Sequence, residues 1–475
     1  MIFGRSKIKK LEKLKTADAP MAKYAHLAPD DDRIFGWAND LVNMGVRLPG
    51  LPAGDQARQY MVDRFTEAGL ENIHVVPART RLYQCQEYSL EVDGENIPAY
   101  FINYTGIGRE GGQFETPEGG LEAELVYIGS GREKDLDGLD IEGKIVVSEI
   151  EFTKLPMAGL KFMSKLFYDP DKTLSVKESR LNPYGSENFP DNYIAAKDKG
   201  AAGFIGILKD YFDSCEYNNE DYSYHCDKMD IPGYWVTRKV GDVLKKKIAE
   251  GPVTAKAVFK GYLKEIDSGA VIGFLPGKSE ETIMVESHFD STTPGATEDA
   301  GGAACLVGIA EYLGKVPASD REKTIMFAAM DSHYSDYDTH DAVVAKFFGD
   351  DCKVIANLCV EHIARELAFD EDGKYYMTGQ IEPRIVFFDG DDRLLQITEE
   401  EFVRHGMKRT SVLPADVFGE HVLTDADEFY QKGVPIVNLI SGPIYLYDNI
   451  DTADKIAKEE LNKTVLTMSD ILWRI

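Results

Sequence analysis

Apolar and polar positions change their period along this chain. Residues 30–80 keep helical spacing through DDRIFGWANDLVNMG and GDQARQYMVDRFTEAGL, with Asp55 expected to cap the second helix and Gly69 to end it. Alternation then takes over. NIHVVPART reads as a strand, and QEYSLEVDGENIPAYFINY reads as strands around a turn at Asp93-Gly94. The glycine-rich TGIGREGGQFETPEGG lacks Lys-Ser/Thr and a strand-loop-helix frame, so it reads as a turn and not as a phosphate loop.

A second pattern starts at residue 121. LEAELVYIGSG and LDIEGKIVVSEIE give short apolar strands. NYIAAKDKGAAGFIGIL gives a helix ending near Gly200, then a strand, and IPGYWVTRKVGDVLKKKIAEG gives another strand and helix. Residues 151–190 read as an insertion, and AVFKGYLKEIDSGAVIGFLPG returns as strands. Residues 121–262 therefore form an inserted, smaller α+β or β-rich unit. From about 265 onward VIGFLPG, TIMVES, TIMFAAM, KVIANLCVE and PIVNLIS are apolar runs separated by helical segments. Such runs predict an α/β fold with a mostly parallel, doubly covered sheet. The main domain comprises 31–120 plus 263–475, after a basic segment at 1–30.

In open α/β sheets the carboxyl ends of the strands carry the site, and the polar residues of this chain cluster there. After ETIMVE come His288, Asp290, Glu298 and Asp299. A carboxylate two residues from a histidine orients the ring while its other nitrogen binds a metal. His-x-Asp alone fits a plain surface loop; the Gly-Ala-x-Glu-Asp-x-Gly-Gly continuation favours the metal. Further strand ends carry Asp331, His333 and Tyr334; Glu361 and His362, with Glu366 beyond; His421 and Asp425; and Tyr447, Asp451 and Thr452. Singly, each reads as a hydrogen-bonded structural residue. Converging on one sheet edge, they mark a site.

Composition narrows the function classes. A chain of 475 residues calls for two domains, and 43% hydrophobic with 28% charged residues is ordinary for a globular protein. A net charge of -28 argues against a nucleic-acid footprint and mostly aids solubility. The basic start, MIFGRSKIKKLEKLK, lacks the apolar run of a secretory signal, and no stretch predicts a membrane span. The six cysteines form no CxxC pair, so a cytoplasmic setting is expected. Cys305, Cys352 and Cys359 read as buried thiols; Cys215 and Cys226, around His225, are too widely spaced to signal a second metal site.

These motifs resemble the metallo-aminopeptidase family that also contains glutamate carboxypeptidase and glutaminyl cyclase. The resemblance rests on His288-Phe289-Asp290-Ser291, on Gly295 through Gly302, on the strand before Asp331, on ANLCVE and on Asp451-Thr452, and it covers most of 35–475. LVYIGSG, LDIEGKIVV and AAKDKGAAGFIGI look like the protease-associated insert that many members carry. The family's usual site holds two zinc ions bridged by an aspartate and a water, with a glutamate as base. By position, His288 matches a ligand of the first metal and Asp290 its orienting carboxylate. Glu298 stands at the bridging aspartate, and Glu361 at the first metal's other carboxylate. His333 stands where the glutamate base is usual, Tyr334 where a second-metal ligand is usual, and Tyr447 where the last histidine is usual. Tyrosine binds zinc poorly unless ionised, and its ordinary pKa is about 10.

The resemblance with these departures implies a mononuclear centre. One divalent ion, zinc by preference with iron or manganese compatible, would be held by His288, Glu298 and Glu361. His333 would be a fourth ligand or the base, and Tyr334 and Tyr447 would donate to a developing oxyanion. Asp299, His362, Glu366 and His421 would support the site or touch substrate. The implied activity is hydrolysis of an amide-type C–N bond in a small or short peptide-like substrate. A lyase, a cyclase-type transferase or an inactive binding protein on the same scaffold are the alternatives. The insert can supply an interface for a second copy of the chain.

Overall fold

The apolar runs of the C-terminal half become the centre of one large sheet in this computed structural model, which describes residues 2–107, 111–218, 229–349 and 352–475, with side chains from residue 7. Its main strands are β1 (Glu71–Val92), β2 (Thr254–Leu275), β3 (Ser279–His288), β4 (Lys323–Met330), β5 (Val354–Val360), β6 (Arg384–Asp389), β7 (Thr410–Pro414) and β8 (Ile436–Ser441). They lie in the order β1-β2-β4-β3-β5-β8-β6-β7. The central four, β4, β3, β5 and β8, are parallel. β2 and β6 flank them antiparallel.

Both faces of this centre are covered, which is why its strands read as unbroken apolar runs. On one face lie α1 (Asp31–Met44), α2 (Pro52–Glu67), α3 (Gly301–Gly314) and α4 (Leu461–Arg474). Ile283 and Val285 of β3 pack there with Leu306 and Ile309 of α3 and with Val465 of α4. Each such buried side chain contributes about 1.5–3 kcal/mol. Met284, alternating to the other face, packs with Met326, Met330 and Phe429. His288 shares the parity of Met284, so β3 delivers its imidazole on that second face at the carboxyl edge.

Two local expectations change. β1 and β2 are each continuous over 22 residues and pair antiparallel from His74↔Ile272 to Val92↔Ala255, with one irregularity between Cys85 and Glu87. The turn at Asp93-Gly94 stands where the pattern put it. α2 starts at Pro52, whose ring presets the first helical φ, so Asp55 lies inside the first turn and does not cap it.

The β1–β2 ribbon runs on into a second unit. There Leu121–Tyr127, Ile145–Ile150, Gly203–Leu208 and Gly233–Thr237 form a parallel sheet whose first strand pairs with the start of β2. Its core of Val146, Tyr193, Phe204 and Trp235 also takes Leu90, Ile102 and Phe114 from before residue 121. The segment 151–190 reaches back to the main sheet: Phe152–Pro156 and Ser179–Ser186 form a hairpin, and Leu166–Tyr168 pairs with β7. No helix among the described residues is long and apolar enough to cross a membrane. Cys305 and Cys359 are buried thiols as expected, whereas Cys352 is only half-buried.

Candidate metal centre

After His288 the chain makes a buried loop that other elements fasten by its backbone. Arg47, fully buried, donates through Nε to Phe289 O at 2.9 Å, through Nη1 to Pro294 O at 2.7 Å and through Nη2 to Gly295 O at 2.9 Å. Gly295 has φ +57, and a methyl group there would overlap Ser291 Oγ and Glu298 O. The Asp451 carboxylate accepts from Thr297 N at 2.8 Å and Glu298 N at 3.0 Å. The Glu298–Asp299 peptide is cis. Asp299 accepts from Ser287 Oγ at 2.8 Å, His362 N at 2.9 Å and Gly302 N at 3.0 Å, tying β3, the end of β5 and α3 together. Gly302 has no room for a side chain, because a methyl group would overlap Asp299 Oδ2 and Val360 O.

This frame aims the Glu298 side chain at three buried imidazoles. His288 Nε2 and His333 Nε2 each lie 3.4 Å from Oε1, and His362 Nε2 lies 2.6 Å from Oε2. The His288 and His333 rings stack with centroids 4.0 Å apart and planes 12° from parallel. Each ring is oriented through Nδ1. For His288 the partner is Asp290, with Oδ1 at 3.3 Å and O at 3.2 Å. For His333 it is Asp425 Oδ1 at 2.8 Å. For His362 it is Ser441 O at 2.7 Å, with the Tyr184 hydroxyl 3.1 Å away. Metal-bound histidines are held in this way.

The donor set fits a cation. His288 Nε2, His362 Nε2 and both Glu298 oxygens are buried without a hydrogen bond. Tetrahedral ligands about 2.0–2.1 Å from zinc lie roughly 3.3–3.4 Å from one another, the spacing of the His288 and His333 pairs with Glu298. Ligand atoms of His288, Glu298 and His362 lie within 4.8 Å of one another, as do those of His288, His333 and Asp425. Burial opposes the charge on Glu298, but His362 and His288 outweigh it and hold the carboxyl well below its usual range. Burial likewise opposes charge on His362, which Glu298 nevertheless carries up to about 10. A third group, Glu401, His405 and Asp470, lies elsewhere, and its atoms are already engaged by Arg404, Arg474 and Met21 N.

Of the three residues expected to share the ion, His288 and Glu298 come together and Glu361 does not join them. Glu361 Oε1 accepts from Cys359 Sγ at 2.9 Å and Asn438 Nδ2 at 3.0 Å. Burial, then Asp425, pushes its carboxyl up to about 8. His362 completes the group instead. Its left-handed backbone, φ +54, turns the chain just after β5 ends and brings this ring to Glu298. Tyr334 and Tyr447 are buried with rings 6.4 Å apart, and Tyr334 meets His333 edge-on at 5.0 Å. Glu366 pairs with Arg180 and Arg409, each at 2.6 Å, and touches no histidine. His421 is exposed and pairs with Asp427 at 2.7 Å. Asp331 binds Arg58 at 3.0 Å and Ser268, a structural network. His225 and Cys226 lie outside the described residues. Sequence reasoning gives no role to Arg47, Tyr184 or Ser441. It reaches Asp425 only as part of a polar segment, because no spacing ties it to a histidine 92 residues away.

Residues 270–332 match the family model of peptidase family M28. Carboxypeptidase Q of Rattus norvegicus is 25% identical over 267 residues, 55% of this chain and 50% of that protein, and the Bos taurus protein matches equally. The chain thus spans about half the length of the curated relatives it matches. Among solved structures, a peptidase M28 precursor from Shewanella amazonensis SB2B superposes with TM-score 0.68 at 16% identity, covering 99% of this chain and 96% of that one. BSAP, a zinc aminopeptidase from Bacillus subtilis, superposes with TM-score 0.63 at 18% identity, covering 94% and 95%. At these identities the structural likeness establishes the aminopeptidase-like fold.

Proposed function

We propose, from a chain that resembles peptidase family M28 and carries this fold, that it is a metal-dependent hydrolase of a peptide-type C–N bond, with one divalent ion held by His288, Glu298 and His362. One observation carries the reading: buried imidazole nitrogens converge on a buried carboxylate, none of them in hydrogen-bond geometry with it, while every Nδ1 is held from behind. Three protein ligands leave the open position that a catalytic ion needs, and zinc suits this nitrogen-and-oxygen set. When bound, such an ion polarises a carbonyl and makes water nucleophilic near neutral pH.

The remaining groups have work of their own. His333 is the base: with Nδ1–H donated to Asp425, its Nε2 accepts a proton from water and returns it to the departing nitrogen. Asp425 fixes that tautomer and stabilises the imidazolium that forms. Tyr334 and Tyr447 donate to the oxygen on which negative charge develops. Asp290 holds His288 and accepts weakly from Tyr334 N at 3.4 Å, linking ligand and phenol. Short peptide-like substrates are supported by the names of similar proteins, a zinc aminopeptidase and a carboxypeptidase.

Metal analysis of the purified chain, with release of amino acid from a dipeptide and aminoacyl-amide panel, tests this. One zinc per chain is expected, with activity lost to a chelator and restored by zinc. Two ions per chain would replace the single-ion mechanism, and full activity of metal-free protein would overturn the reading.

A further inference from the structure

A cavity of about 290 Å³ lies on the side of His362 away from Glu298. Its walls are apolar: Leu155 and Leu181 come from the hairpin of the 151–190 segment, Ile385 and Phe387 from β6, and Ile440 from β8. Phe418 and Leu423 form its rim and are themselves exposed, at 40% and 60%. The volume is at the small end of ligand sites, which run from roughly 300 to 1,000 Å³. The cavity's charged residues are mutually paired: Arg180 binds Glu382 at 2.8 Å and Glu366 at 2.6 Å, and Arg384 binds Glu460. A charged ligand would find no counter-charge that is not already engaged, so the chemistry favoured is uncharged and apolar.

The end wall joins this cavity to the metal centre. It consists of Tyr184 and Ser441. Ser441 O takes the Nδ1 proton of His362 at 2.7 Å, and the Tyr184 hydroxyl donates to Ser441 O at 2.9 Å. The Tyr184 ring also meets Tyr447 edge-on at 5.9 Å. An occupant therefore touches both residues that set the orientation of one proposed ligand.

We propose that this cavity binds an uncharged apolar group about the size of one large side chain, and that Tyr184 and Ser441 couple its occupancy to His362. The coupling rests on the metal assignment above; the cavity itself does not. The group is carried by the substrate or by a separate small molecule, and the two are told apart below.

The zinc-loaded full chain is titrated calorimetrically with isovaleramide, a neutral mimic of a leucine side chain, with acetamide as control. Saturable binding of isovaleramide is expected. Leu181→Trp and Leu155→Trp, two independent fillings of the cavity, should each weaken it by about tenfold or more. Saturating isovaleramide should also change zinc affinity, and zinc should change isovaleramide affinity by the same factor. Tyr184→Phe should keep the binding and bring that factor toward one. A substrate-borne group predicts that Leu181→Trp raises KM for leucyl but not glycyl amides; a separate effector predicts that isovaleramide changes the rate on both. No saturable binding, or parent-like binding in both tryptophan variants, overturns the site. If the zinc-loaded parent splits no amide, the hydrolase reading fails while the calorimetry still decides the cavity.

Discussion

Replacing His362 by alanine removes one of the three side chains proposed to grip the ion; replacing its neighbour Glu361 by glutamine does not. The His362 ring is buried with Nε2 2.6 Å from Glu298. Loss of an orienting partner alone costs about 10–100-fold in metal affinity, so loss of the ligand costs ~100-fold or more. With free zinc at a hundred times the parent Kd, bound metal adds ~2.7 kcal/mol of stability, and a hundredfold weaker site adds ~0.4 kcal/mol. Unfolding entropy of ~2.1 cal/mol/K per residue over 475 residues makes that difference a fall of only ~2 °C in Tm. Competition with a chromophoric chelator is therefore the primary assay, and the melting shift its corroboration. Burial, then Asp425, raises Glu361 to about 8, so it is largely protonated at pH 7. Glutamine keeps the oxygen that accepts from Cys359 and Asn438. Glu361→Gln should hold zinc nearly as the parent does. The opposite result, with zinc retained by His362→Ala and lost by Glu361→Gln, would refute the ligand assignment and give Glu361 the role.

Asp425→Asn should lower kcat by ~10²-fold or more through loss of the oriented base, with zinc content unchanged; loss of zinc in step would make His333 a ligand. Tyr447→Phe should lower kcat by about 10²-fold with little change in KM, and an unchanged kcat removes the phenol from the chemistry. Burial raises the Asp448 carboxyl from 3.8 to about 7, so the folded chain keeps a proton that the unfolded chain releases near pH 4. The stability from this group is complete below about pH 4 and is lost as pH rises through about 7. Relative to the parent, Asp448→Asn should be more stable in denaturant at pH 8 than at pH 4, and a pH-independent difference would contradict this.

The parallel centre of the sheet was legible because both of its faces are buried, and burial writes itself as unbroken apolar runs such as TIMVES and TIMFAAM. The 22-residue strands were read in pieces because Pro77, Gly261 and Gly269 look like ends. Within the ribbon those glycines instead admit close approach, since a methyl group on Gly261 would overlap Gln84 O. His288 and Glu298 were findable because their loop is local. Choosing between Glu361 and His362 was not, because it turns on the left-handed φ of a single strand-exit residue. The His333–Asp425 pair was out of reach for another reason: two strand ends meet there only after the sheet has formed.

A buried carboxylate without hydrogen bonds requires a positive partner, and its surroundings narrow which one. Protonated imidazoles are one route. His288 and His333 stack at 4.0 Å, and two unit positive charges at that separation repel by about 4 kcal/mol at an effective dielectric of about 20. Protonating His362 alone serves Oε2 but leaves Oε1 of Glu298 facing two other rings. Those rings direct Nδ1 outward to Asp290 and Asp425, so when neutral they turn Nε2 lone pairs toward the carboxylate oxygen, lone pair against lone pair. A divalent ion removes the conflict at once. It draws on His288, Glu298 and His362 without any proton, and it leaves His333 neutral, the form a general base requires. A second ion would need further anionic ligands on the far side of Glu298, and the residues the fold supplies at those places, Tyr334 and Tyr447, are phenols.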